Sequence, residues 1–107
     1  MILTKDEQYR TKKLKQNMGY KLHWSEESVS NLEGILESLS RNWTNREVEN
    51  FKKRLGQQLD LIIKNPYMFP ISDHMPRLRK AVLSKQTTIF YEVKIKAIFL
   101  AYLLMFT

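Results

Sequence analysis

Two helix-start signatures in close succession constrain this chain more than any other feature. In the first, Ser25 follows Trp24 and precedes Glu26 and Glu27. A serine hydroxyl there accepts from the free N–H groups of a first helical turn, and the two carboxylates suit the positive end of the helix dipole. Trp24 and Val29 occupy the two positions of a hydrophobic staple. The second signature is the capping box Thr44-Asn45-Arg46-Glu47, with Trp43 and Val48 as its staple. Val29, Leu32, Leu36 and Leu39 form one apolar stripe, and the first helix should end near Arg41. Val48, Phe51, Leu55, Leu59 and Ile62 form the other, which Pro66 terminates. A connection of about three residues forces the helices into an antiparallel hairpin. Both apolar faces then need one common cover.

Strands supply it. Tyr20 to Trp24 alternates apolar and polar side chains, which predicts a short strand with His23 on its exposed face. Arg77 to Leu83, Thr87 to Val93 and Ala97 to Phe106 follow the helices, separated by the turns Ser84-Lys85-Gln86 and Lys94-Ile95-Lys96. Ile89, Tyr91 and Val93 share one face of the middle strand. The unbroken hydrophobicity after Ala97 predicts a central strand buried on both faces. Between helix and strands, Asn65 to Pro76 contains Pro66, Pro70 and Pro76. Its Tyr67, Met68, Phe69 and Ile71 are expected to lie back over the core. The expected fold is α+β and two-layered, in the order β-α-α-β-β-β, with the helix hairpin packed on a small, mostly antiparallel sheet.

A length of 107 residues allows one such domain and little more. Residues 1–17 are polar and charged and read as a flexible or loosely helical extension, with the domain proper over 18–107. Met18, followed by Gly19, is an alternative start. With no cysteine, disulfide scaffolds and thiolate zinc sites are excluded. With His23 and His74 the only histidines, no metal site is expected, and both read as solvent-facing. The apolar run from Ala97 is about half the length that a membrane-spanning helix needs, and no secretion signal opens the chain. A cytoplasmic location is expected.

The net charge of +7 is unevenly placed. Residues 77–107 hold six bases and one acid, whereas residues 20–76 hold seven bases and eight acids. An anionic partner, such as nucleic acid or an acidic protein, suits the basic end. Lys52, Lys53 and Arg54 read as a solvated helix face.

Several segments, taken in order, resemble one family: Trp24-Ser25-Glu26-Glu27-Ser28, the rhythm of Leu32 to Leu39, Asn65-Pro66-Tyr67-Met68-Phe69-Pro70, Leu78-Arg79-Lys80 and Ile89-Phe90-Tyr91-Glu92-Val93. From Tyr20 to Thr107 the chain resembles the RelE/ParE superfamily of type II toxin–antitoxin toxins. The resemblance implies a small bacterial toxin that inhibits growth, acts in plasmid stabilisation and is neutralised by a cognate antitoxin. It implies contact with operator DNA only through that antitoxin, and neither metal nor cofactor. One branch of the family cleaves mRNA on the ribosome with basic side chains and a base; the other, ParE-like, poisons DNA gyrase.

Residue by residue, the ParE-like branch is the better match. The nuclease arginines fall near Thr88 and Thr107, and threonine cannot replace a guanidinium. Tyr91 matches a superfamily tyrosine but lies on the apolar strand face. Arg79 matches the arginine of the ParE-like Leu-Arg-Lys signature. The expected target-binding patch is Arg77, Arg79, Lys80 and Lys85; were the chain an endoribonuclease, Arg79, Lys80 and Tyr91 would be its catalytic candidates. Family members usually continue with a short arginine-containing segment, so a truncated, inactive toxin is a further alternative.

Overall fold

The computed structural model describes residues 20–105, so the expected extension 1–17 and Thr107 lie outside the described residues. Strand β1 (Lys21–Trp24) leads into helix α1 (Glu26–Asn42) and helix α2 (Asn45–Lys64). Strands β2 (Arg79–Val82), β3 (Thr87–Lys94) and β4 (Ala97–Met105) complete the α+β fold. Both helix caps form as their side chains dictate. Ser25 accepts from the Ser28 N–H at 3.0 Å. Thr44 and Glu47 satisfy each other's backbone donors. The two apolar stripes bury, with three additions and one loss, Ile63 being the addition on α2. Ile35 and Ser28 join the buried face of α1, while Val29, at the edge of the arc, is half-buried.

The sheet order is β1-β4-β3-β2. Strands β2, β3 and β4 form the expected antiparallel meander. Strand β1 pairs parallel to β4, because the two-helix connection returns the chain across the sheet. Strand β2 starts two residues later than the sequence predicts. Arg77 and Leu78 instead continue the preceding loop, whose Ser72 N–H bonds to the Leu78 carbonyl at 2.8 Å. Pro70 accepts from the Lys80 N–H at 2.8 Å, so this loop covers part of the outer edge of β2.

The expectation that β4 is buried on both faces is corrected. Ile98, Leu100 and Leu103 face the helices and are buried, whereas Phe99 and Leu104 on the other face are 38% and 39% exposed. The helix hairpin covers one side of the sheet only. On the open side, rings cover one another: His23 stacks on Phe99 at 4.8 Å, and Phe90 on Tyr102 at 4.5 Å. That contact makes His23 half-buried rather than fully solvent-facing; His74 is exposed as expected.

Past Trp24, β4 outruns its short parallel neighbour. Side chains of α1 replace the missing strand. Ser25 donates its hydroxyl to the Ala101 carbonyl at 2.8 Å, and Asn31 accepts from the Leu103 N–H at 3.0 Å. The register shifts here, with Phe90 opposite Tyr102 and Tyr91 opposite Leu100, leaving Ala101 as the extra residue of a bulge.

Candidate functional site

The expected basic patch comes from one stretch of chain, but the fold divides it. Arg79 opens β2 on the helix-facing side, opposite Tyr91 in the ladder. Its guanidinium donates to the Phe69 carbonyl at 2.7 Å and to the Tyr67 carbonyl at 3.3 Å. It also lies over the Tyr67 ring, 4.9 Å from the centroid. A planar fork of donors suits this combination of carbonyls and aromatic face. Arg79 therefore clamps the loop that follows α2. Lys80, the next residue, points to the open face and is exposed. It borders a hollow of about 430 Å³ lined also by Phe69, Ile71 and Val82. Arg77 is exposed at the same end of β2.

Lys85 sits in the turn at the far end of that strand. It lines a groove of about 570 Å³ together with Trp43, Phe51, Arg54 and Gln86. Arg54 is exposed, in keeping with a solvated helix face. It also donates to the Leu83 carbonyl at 2.8 Å and ties α2 to the turn.

Tyr91 is fully buried. Its hydroxyl donates to the Pro66 carbonyl at 2.7 Å, and its ring meets Phe69 edge to face. Burial pushes the phenol up to about 12, against a smaller opposing effect of the Arg79 charge. A hydroxyl so engaged is an internal tie between sheet and loop, and it lies away from any solvent-borne phosphate. Since the folded phenol ionises later than the unfolded one, its contribution to stability is complete below pH ~10 and disappears as pH rises toward ~12. Thermal unfolding followed against pH should show a fall in Tm across that window, and Tyr91→Phe should remove this part of the fall.

The loop itself departs from expectation. Only Phe69 packs on the core. Tyr67, Met68 and Ile71 are 58%, 48% and 52% exposed. The Arg79 clamp holds the Tyr67 and Phe69 carbonyls, which leaves the side chains of Tyr67, Met68 and Ile71 facing outward.

Sequence reasoning missed a second group of bases. The parallel register places Lys21 opposite Ala97, and Lys94 pairs with the same residue from the other side. Lys96 completes the group, its carbonyl accepting from the Lys21 N–H at 3.0 Å. These three exposed lysines gather at the sheet end where Ile95 projects, 95% exposed. The turns were legible, but the β1–β4 pairing that adds Lys21 was not. Among the described residues, no cluster of acids and histidines forms a metal site, and no helix is long and apolar enough to cross a membrane.

No protein-family model matches the sequence, and no curated protein matches it. The fold is similar to a chain of the chromosomal ParDE TA system from P. aeruginosa, with a TM-score of 0.72 and 13% sequence identity. The match covers 84% of this chain and 99% of that one. The two-layer β-α-α-β-β-β architecture is thus one that a ParDE toxin–antitoxin chain also adopts.

Proposed function

We propose that this chain is a ParE-like toxin of a type II toxin–antitoxin system, inhibiting growth through protein contact with DNA gyrase and neutralised by a cognate antitoxin. The observation that carries this reading is the fold likeness, which spans nearly the whole of the ParDE-system chain. The charge of the terminal strands supports it, since an acidic or nucleic-acid-associated partner complements a basic sheet end. The burial of Thr88 and Tyr91, at two positions where a ribosome-dependent nuclease would need reactive groups, favours contact over cleavage.

Induced expression in a bacterial host without the antitoxin gene should arrest growth, and the purified protein should inhibit gyrase supercoiling. Cleavage of mRNA on translating ribosomes, with gyrase unaffected, would overturn the gyrase reading. Expression without arrest would instead favour an inactive relative that only binds antitoxin. Reversing two exposed bases, Arg77→Glu with Lys80→Glu, should weaken growth arrest by about tenfold or more if the patch meets the target. Tm should change little, because neither side chain is buried. An unchanged arrest would remove both residues from the working surface.

A further inference from the structure

The groove between the start of α2 and the β2–β3 turn shares only Lys85 with the basic patch expected to meet the target. Its construction is nevertheless specific. Trp43 and Phe51 meet edge to face, with centroids 6.5 Å apart, and form an aromatic wall and floor. Asn50 and Arg54 border it from α2, and Ser84, Lys85 and Gln86 border it from the turn. Its volume of about 570 Å³ is that of a small-molecule site.

The charges at its margin are unequally committed. Glu47, the single acid, spends Oε1 on the helix cap, accepting from the Thr44 N–H at 3.0 Å and approaching the Thr44 hydroxyl at 3.3 Å. The ion pairs among the described residues are Arg41 with Glu37 and Lys52 with Glu49, so neither Arg54 nor Lys85 is in one. Arg54 is held in place by its bond to Leu83. A guanidinium has five donors, and one such bond leaves a fork for an oxyanion. An aromatic wall beside two cations that no ion pair engages, against the one carboxylate of Glu47, suits a flat ring that carries a negative group.

We propose that this groove binds a nucleobase carrying a phosphate, with the base stacked on Trp43 above the buried Phe51 and the phosphate between Arg54 and Lys85. Stacking on an aromatic side chain tolerates any base, and the amides of Asn50 and Gln86 can hydrogen-bond its edge. A free nucleotide and the 5′-phosphorylated end of a nucleic acid share this chemistry.

The sequence provides its own reporter. Trp24 and Trp43 are the only tryptophans, so in Trp24→Phe the fluorescence comes from the groove alone. Titration of that variant with AMP or GMP should give saturable quenching, with Kd of roughly 10–100 μM. Lys85→Ala, a change in an exposed turn, should weaken binding about tenfold. Lys21→Ala, at the distant basic end, should leave it unchanged. A 5′-phosphorylated trinucleotide binding more tightly than AMP identifies a nucleic-acid end as the ligand; the reverse order identifies a free nucleotide.

Four results would overturn the proposal: no saturable quenching up to millimolar AMP or GMP; equal binding of adenosine, which removes the phosphate subsite; equal binding of inorganic phosphate, which removes the ring subsite; or equal weakening by Lys21→Ala, which reduces the effect to net charge. Displacement of AMP by an acidic peptide at equal concentration would assign the groove to a protein partner instead. None of these outcomes bears on growth arrest, so the two readings fail separately.

Discussion

Tyr91→Ala is expected to destabilise the protein by about 3–5 kcal/mol, the range for truncating a large buried aromatic. Tyr91 is the largest of the fully buried side chains and sits at the centre of β3. The substitution removes three things together: the ring that fills the space beneath the helices, the edge-to-face contact with Phe69, and the donor to Pro66. The Pro66 residue is itself buried, so its carbonyl would lose its partner where water reaches it poorly. A domain of this size is held by a net stability on the order of 5–15 kcal/mol, so the loss is a large share of it. Tyr91→Phe separates the contributions. It keeps the ring and removes only the hydrogen bond, at a cost of about 1–3 kcal/mol. Chemical denaturation of the three proteins checks the order. A Tyr91→Ala protein as stable as the parent would mean that the loop and sheet close without this tie. The comparison also bears on function: any loss of activity in Tyr91→Phe that tracks its loss of stability is structural, and a larger loss would give the hydroxyl a direct role.

The second large effect is expected where α1 stands in for a strand. Ser25→Ala combined with Asn31→Leu should cost about 2–4 kcal/mol, the loss of a helix N-cap plus a buried N–H left without a partner. Ser25 does two jobs at once, accepting from Ser28 and donating to Ala101. Asn31 takes the Leu103 N–H that β1 is too short to reach. The two sites serve one bulge, so their effects should not be independent, and both single variants are needed to measure the coupling. Amide hydrogen exchange gives the local readout. Protection of the Leu103 N–H should fall sharply in Asn31→Leu, while that of Ile98 in the paired half of β4 should fall much less. Uniform loss along β4 would mean that the strand opens as one unit and that the α1 side chains do not hold its second half separately.

Much of the fold was legible because its signals are local. Capping depends on side chains within four residues of the backbone they satisfy, so Ser25, Thr44 and Glu47 announce themselves in any context. The apolar stripes of the helices have the same local character, since a period of three and four residues can only face one way. The errors arose where a local pattern has two physical readings. An unbroken apolar run after Ala97 fits a strand covered on both faces. It also fits a strand whose outer aromatics stack among themselves, as Phe99 does with His23 and Tyr102 with Phe90. The loop after α2 was similar. Its apolar residues suggested burial, but the clamp through Arg79 holds backbone carbonyls, and Tyr67, Met68 and Ile71 are left outside.

The candidate site was less legible than the fold. Arg77, Arg79, Lys80 and Lys85 are neighbours along the chain, and charge counting grouped them. A strand separates them twice over: successive residues point to opposite faces, and each adds about 3.3 Å of length. Arg79 therefore turns inward to the loop, Lys80 outward to the open face, and Lys85 is carried to the far end beside Trp43. Conversely, Lys21 joins Lys94 and Lys96 only because β1 lies parallel to β4. The amino-acid sequence alone determined the elements, their order and the two-layer class, since these follow from capping, periodicity and the need to cover one face of a helix hairpin. Only the tertiary structure decided which charges act together, because pairing register and strand direction are long-range properties that no single segment encodes.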